Sequence, residues 1–237
     1  MVEEVRVAQL WRYPVKSLKG ERLNSAILTL DGVEGDRIVH VAGRRGPLTG
    51  RTRHGLLTLP ALTDPDGVPT VQGHRWDSPE AAEAVREQAG QDARLVADVT
   101  PERFDILNLL VATDGAVEHL GHDVRRLRPN IVLSGLPAEM EARLPGQALA
   151  VGEALIGVHS VRQRCIVTTI DPDSGEQDLE VLRRIQDVFG GQIALNSWVI
   201  SPGEVHVGDA VRIVSSRESP TRVGGWVVGA PYEDESA

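Results

Sequence analysis

Cys165 is the single cysteine of this 237-residue chain, so its thiol has no partner for an internal disulfide. It lies in Arg162-Gln163-Arg164-Cys165-Ile166-Val167-Thr168-Thr169-Ile170-Asp171-Pro172-Asp173-Ser174-Gly175-Glu176, with arginines one and three residues before it. Neighbouring guanidinium groups favour thiolate over thiol. A thiolate is both a nucleophile and a donor to soft metals. A second concentration of chemistry sits near the start. The chain has 25 basic residues, yet its only two lysines, Lys16 and Lys19, both fall in Tyr13-Pro14-Val15-Lys16-Ser17-Leu18-Lys19-Gly20. Further donors are Arg37 in Gly35-Asp36-Arg37, Arg51 in Leu48-Thr49-Gly50-Arg51, and Arg128 with Asn130 in Leu127-Arg128-Pro129-Asn130. Arginine offers a planar fork to oxyanions and lysine a point charge. Each such residue, taken alone, is more often a solvated surface group than a functional one.

The elements that must position these groups are mostly strands. Val5–Trp11 and Leu23–Leu30 alternate with period two, and Asp31-Gly32 marks a turn. Ile38–Val41 is a short strand, Gly43–Arg51 a basic glycine-rich loop, and Val68–Val71 a strand after the Asp64–Gly67 turn. Ser78-Pro79-Glu80 starts a helix to about Ala89, with Ser78 as N-cap and Pro79 in the first turn. The second section predicts strands over Asp105–Asp114 and Arg128–Leu133, with a helix over Gly115–His122 between them. A hairpin over Leu149–Val161 turns at Gly152-Glu153, and Cys165–Ile170 reads as the next strand. Leu179–Phe189 has helical spacing, Leu195–Ile200 is a strand, and Val205–Ile213 is a closing β pair around Gly208-Asp209. Many short strands with few helices predict barrel-like sheets, an α+β chain that is mainly β. The expected division is 1–98, 99–215 and a polar tail over 216–237.

Composition bounds the function. A net charge of −9 argues against general nucleic-acid binding. Aromatics are 3% of the chain, so its core rests on Val, Leu, Ile and Ala. No apolar run approaches ~18 residues, which predicts no membrane contact by a spanning helix. The start is acidic rather than signal-like and a lone cysteine suits a reducing compartment, so a cytoplasmic location is expected. Gly43–Arg51 lacks the Gly-Lys-Ser/Thr ending of a phosphate loop. His119 and His122 have metal-pair spacing without a further ligand near them in sequence, which favours a solvated helix end.

Four blocks in order resemble the MOSC family, the molybdenum-cofactor sulfurase C-terminal domains, and within it the amidoxime-reducing group. They are Leu10-Trp11-Arg12-Tyr13-Pro14-Val15-Lys16-Ser17; Gly35-Asp36-Arg37 with Leu48-Thr49-Gly50-Arg51; Leu127-Arg128-Pro129-Asn130-Ile131-Val132-Leu133-Ser134-Gly135; and Arg164-Cys165 with Thr168-Thr169-Ile170-Asp171-Pro172. Ser174 and Gly50 depart from the Thr and Ala usual in the family pattern. The resemblance implies an N-terminal β domain packed on a β-barrel domain with flanking helices. It implies molybdenum-molybdopterin as cofactor, without pyridoxal phosphate. Cys165 is then the metal ligand and catalytic residue. Lys16, Ser17, Arg37, Arg51, Thr113, Arg128, Asn130 and Arg164 are then the cofactor-binding set. The implied activity is reduction of N-hydroxylated or N-oxide small molecules, with electrons from an external flavoprotein, ferredoxin or cytochrome. The alternatives are a persulfide carrier acting through Cys165 and a molybdopterin-binding module without turnover. A cysteine hydrolase with His159 or His206 as base is a further reading from the residues alone.

Overall fold

The computed structural model describes residues 4–100, 103–216 and 218, with the backbone of 222–223 and 233–234. The first half runs through β1 (Arg6–Arg12), β2 (Glu21–Leu23), β3 (Ser25–Thr29), β4 (Gly32–Val33), β5 (Val39–Gly43), β6 (Gly46–Leu48), β7 (Ala61–Thr63), β8 (Pro69–Val71), β9 (His74–Arg75), helix α1 (Pro79–Ala89) and β10 (Arg94–Ala97). The second half holds β11 (Leu109–Thr113), helix α2 (Asp114–Leu120), β12 (Ile131–Ser134), β13 (Gln147–Val151), β14 (Ala154–Gln163), helix α3 (Leu179–Phe189), β15 (Gln192–Ser201), β16 (Gly203–His206) and β17 (Val211–Ser215). Strand outweighs helix, 40% against 23%, which is the mainly β class expected. Most of the expected tail lies outside the described residues; within it, Arg222–Val223 pairs with Glu233–Asp234.

The main sheet has eight strands in the order β17-β13-β14-β15-β11-β12-β1-β2. Its neighbours are antiparallel except β11 and β12. A parallel pair needs a crossover, and α2 supplies it. Thr113 caps α2 through Ala116 N at 3.3 Å, and Gly121 ends it in the left-handed region at φ 73°. The expected barrel does not close, because β17 and β2 are the two ends of the ladder. One corner alone is drawn together: Val7 N donates to Asp209 O at 2.9 Å and Val211 N to Val5 O at 2.8 Å, around an Arg6–Ala210 bridge. The remainder of β17 is committed to β13.

Two large hydrophobic cores follow, with smaller clusters beside them, the larger of which packs Leu120 of α2 against Val181 and Ile185 of α3. Leu10, Leu28, Val111, Ile131, Leu149, Ile156 and Leu195 belong to the main one. Val15, Val39, Val41, Leu56, Val71 and Val85 belong to the other, where α1 covers the small sheets of the first half. The chain passes from the first core to the second between β1 and Val15, so the Tyr13–Leu18 segment lies at their junction. Four predicted elements differ from the structure. Leu23–Leu30 is not one strand: Leu23 ends β2, which pairs with β1, and Ser25–Thr29 is β3, which pairs with β16. Gly43–Arg51 is not all loop, because Gly46–Leu48 is β6 and pairs with β5. Cys165–Ile170 is not a strand; Ile166–Thr169 is a 3-10 turn. Thr168 Oγ1 donates to Cys165 O at 2.9 Å and Thr169 Oγ1 to Ile166 O at 2.7 Å. These hydroxyls take carbonyls three residues back, and that local bonding overrides the alternating pattern. Likewise β16 and β17 do not pair with each other: β16 pairs with β3 and β17 with β13. Val205 of β16 stands opposite Ala26 of β3 and is buried with it and Leu28.

Candidate functional site

Three loops bring cations to one cavity, and each does so through an unusual backbone. After β1, Tyr13 N donates to Asp36 Oδ1 at 2.7 Å, Arg37 N to Tyr13 O at 2.7 Å, and Lys16 N to Val39 O at 2.8 Å. The 13–18 segment is thereby strapped to 36–39. The turn closed by Leu18 N and Val15 O puts Ser17 at φ 72°. Arg37 has φ 54°, and Arg128, just before Pro129, has φ 58°. Five non-glycine residues among those described have positive φ, and these three belong to the expected binding set. The left-handed region costs a side-chain-bearing residue of order 1 kcal/mol or more, and such strain clusters at ligand clamps.

The cavity measures about 330 Å³. Its lining includes Lys16, Arg37, Arg51, Arg103, Arg128, Arg162 and Arg164, against the carboxylates Asp98 and Asp105. In a chain of net charge −9 this is a concentrated positive site. Arg128 lies over the Tyr13 ring at 4.3 Å and Arg37 over it at 5.0 Å. Tyr13 is buried, which pushes its hydroxyl up to about 12, and it donates to Pro129 O at 3.1 Å. The ring therefore presents an aromatic face to two cations and remains neutral. Arg37 is further paired with Asp36. Burial brings Arg128 down to about 10 and, with help from nearby Arg162, Arg164 to about 10. Arg164 donates to Leu127 O at 2.7 Å, but Arg128 Nη2 is buried with no hydrogen-bond partner. A buried guanidinium donor in this condition is costly unless an acceptor reaches it.

Asp105 gathers the other side. Lys16 Nζ is 3.1 Å from its Oδ1; Arg162 is 3.1 Å and Arg51 3.4 Å from its Oδ2. Burial pushes the Asp105 carboxyl up, but Lys16, Arg162 and Arg51 together outweigh this and hold it well below the usual carboxylate range. Burial also lowers Lys16, against the opposing pull of Asp105. Arg162 reaches Asn196 Oδ1 at 3.1 Å as well. Cys165, half-buried, follows directly on the end of β14 and lines the same cavity. Its turn is clasped from behind by Arg126, which donates to Thr169 O at 3.0 Å and to Asp171 Oδ2 at 2.9 Å.

Of the nine residues picked from sequence, eight line this cavity: Lys16, Ser17, Arg37, Arg51, Arg128, Asn130, Arg164 and Cys165. Thr113 is outside the lining. Its amide and hydroxyl donate to Glu141 Oε1 at 2.9 and 3.1 Å, and its hydroxyl caps α2, so its polar atoms are spent on the fold. Asn130 is in the lining, but its amide is engaged too. It accepts from Leu110 N at 3.1 Å and donates to Trp11 O at 3.4 Å, tying β11 to β1. Gly50, where the family pattern has Ala, is packed so that an added Cβ would come 2.8 Å from Leu57. Sequence reading missed Asp105, Arg162, Arg103, Phe104 and His40, which also line the cavity. Arg162, two residues before Arg164 on an alternating strand, carried the one available signal. His159 and His206, the bases of the hydrolase reading, are not in the lining. His119 packs edge-on against Phe189 at 5.5 Å. Among the described residues no three His, Cys, Asp or Glu side chains are grouped to hold a bare metal ion.

Comparison with known proteins places the chain in a family. The MOSC N-terminal beta barrel domain matches residues 4–94 and the MOSC domain residues 83–212. Relatives include mitochondrial amidoxime-reducing component 1 of Homo sapiens, 24% identical, and of Mus musculus, 26% identical; each comparison spans 88% of this chain and 82% of the relative. Solved structures with some likeness include the YUAD protein from Bacillus subtilis, at 15% identity and TM-score 0.46, covering 91% of this chain and 98% of that one. Another is YiiM from Escherichia coli, at 17% identity and TM-score 0.42, covering 88% and 72%. No helix among the described residues is long and apolar enough to cross a membrane. With the MOSC domain description matched over more than half of its length, and the N-terminal one over most of the rest, the chain belongs to the MOSC family.

Proposed function

We propose that this protein is a molybdenum-cofactor oxidoreductase that reduces N-hydroxylated or N-oxide small molecules, with Cys165 as the protein ligand to the metal. The observation that supports this best is the meeting of Cys165 and the cationic cluster in one cavity, with Arg128 Nη2 buried and lacking an acceptor. Molybdopterin brings a phosphate, pterin oxygens and two dithiolene sulfurs. The donor set suits each part. Lys16, Ser17, Arg37, Arg128 and Arg164 would hold the anionic and polar edges. Cys165 offers a soft thiolate. Arg51 and Arg162 would act partly through Asp105, which they share with Lys16. Asn130 would serve by fixing the strands behind Arg128. The cofactor, once bound, would supply two-electron oxygen-atom transfer, and the protein supplies orientation and charge. The names of the two relatives suggest the substrate class.

The protein's own groups have definite tasks in this reading. The cluster neutralises an anionic ligand that the acidic chain would otherwise repel. Burial makes those charges effective, because they are poorly screened. The 3-10 turn after Cys165, clasped by Arg126, fixes the thiol against the cavity. Electrons come from an external donor protein. The test is molybdenum and pterin content of the full chain from a molybdate-fed host, together with amidoxime reduction under dithionite and a mediator. Stoichiometric metal and reduction lost in Cys165→Ala are expected. Sulfur transfer from Cys165 without molybdenum would replace this reading with the carrier one, and bound pterin without turnover would leave a binding module.

A further inference from the structure

We propose that His40, oriented by Asp98, is the proton donor of the cavity and protonates the substrate's nitrogen–oxygen group as the N–O bond breaks. This rests on the reductase reading above. Reduction of an N-hydroxylated compound consumes two electrons and two protons; the N–O bond is cleaved, an N–H bond forms and the oxygen leaves as water. The electrons come from the external donor protein or a chemical reductant. The protons must come from groups that can release and regain them near neutral pH. Asp105 is held ionised by Lys16, Arg162 and Arg51 and has no proton to give there. Among the described residues His40 is the one imidazole in the cavity lining, and histidine is the side chain that ordinarily changes charge in this range.

Its setting is that of an oriented imidazole. His40 sits in β5 between Val39 and Val41, whose side chains are buried in the second core, so period two turns the imidazole away from that core. Asp98 follows β10, the partner of β5, and is anchored there: its amide donates to Ile38 O at 2.9 Å. Asp98 Oδ1 accepts from Thr100 N at 2.9 Å and Thr100 Oγ1 at 2.6 Å. That leaves Oδ2 toward the ring, 3.5 Å from His40 Nδ1. Nδ1 is buried and makes no hydrogen bond at this distance. A small closing movement would complete it, since such contacts often tighten only when substrate binds. With Nδ1 turned to the carboxylate, Nε2 is the nitrogen left to serve the cavity. The charged groups facing the imidazole are Asp98, Lys16 and Arg94. Burial lowers the His40 pKa from 6.5, Asp98 opposes this, and Lys16 and Arg94 add to it. His40 therefore loses its proton below the ordinary histidine value of 6.5, and a step that needs that proton slows as pH rises through the lowered pKa.

The test uses the full chain and two readouts. The His40 imidazole resonances are followed by NMR across pH, with and without benzamidoxime, whatever the metal content. Titration below 6.5, a further downward move in Asp98→Asn and a shift on adding benzamidoxime are expected. On molybdenum-loaded protein with dithionite and mediator, the wild-type kcat should fall as pH rises. His40→Gln should flatten that limb and cut kcat at its acid end by ~10²-fold, the low end of general-acid contributions. KM should stay within about threefold. An unchanged pH limb in His40→Gln, or a His40 resonance indifferent to benzamidoxime, would overturn the assignment. If the wild type reduces amidoximes while His40→Gln keeps its profile, only the proton role falls. If loaded wild type reduces none, the reductase reading falls and takes the proton role with it.

Discussion

Arg128 holds a conflict that a ligand would resolve. Its backbone is left-handed at φ 58°, its guanidinium is buried over Tyr13, and Nη2 has no acceptor. Strain and desolvation together disfavour the protein without an anion in this place. Arg128→Gly and Arg128→Ala should therefore both lose pterin, read as fluorescence after oxidative release. Gly removes the backbone strain that Ala keeps, so in urea Arg128→Gly should be the more stable by about 1 kcal/mol. Equal stability would mean the φ is not strained.

Asp105 makes the complementary case. Its folded pKa lies below the ordinary 3.8, so its contribution is present above that value and is lost as pH falls through and below it. The side chain is 33% exposed, which screens it. Asp105→Asn should cost about 1–2 kcal/mol at neutral pH. The gap between the two proteins should begin to narrow only as pH falls below 3.8, and should close as pH approaches the much lower folded pKa. A constant gap down to acid pH would show that packing, not charge, makes the difference. Lys16, Arg37, Arg128 and Arg164 were legible in sequence because each stands in a short local block. Asp105 was not: it precedes an ordinary apolar strand run, and only the fold brings it to Lys16, Arg51 and Arg162.

At the scale of elements, Glu141 joins three pieces of the second half. It accepts from Thr113 N at 2.9 Å and Ala194 N at 2.7 Å, linking the 3-10 turn at Ala138–Arg143 to β11 and β15. Burial pushes its carboxyl up, and those donors offset this only in part. Glu141→Ala would leave two buried amides unpaired and should cost about 2–4 kcal/mol in urea unfolding, with the cavity's cations still in place. A loss under 1 kcal/mol would mean water replaces the carboxylate. Elements with clear start signals were readable from sequence: α1 begins where Ser78-Pro79 place it and ends at Ala89, as expected. The turn after Cys165 was not, because Thr168 and Thr169 have strand-like side chains whose hydroxyls instead serve carbonyls three residues back. The β16–β17 pairing was misread for a different reason. A Gly-Asp turn fixes a change of direction, but the core decides which strands meet.

For the whole molecule, the acidic balance and the cationic cavity divide the work. With a net charge of −9 the chain is acidic as a whole, while the inner cluster, on the proposed reading, would hold an anion. An electron donor that docks by complementary charge should show a rate that falls with salt, whereas reduction by dithionite and mediator should depend on salt much less. Nicotinamide alone should support no N-reduction, since the sequence carries no dinucleotide fingerprint; efficient reaction with it would reveal a missed cofactor site. The central claim, that Cys165 and this cluster hold molybdenum-molybdopterin, is tested most directly at the metal. X-ray absorption at the molybdenum edge, on the full chain from a molybdate-fed host, counts its sulfur neighbours. Wild-type protein should hold molybdenum with one more sulfur neighbour than Cys165→Ser. An identical sulfur count in the two, or wild-type protein without molybdenum when the host supplies it, would contradict the account.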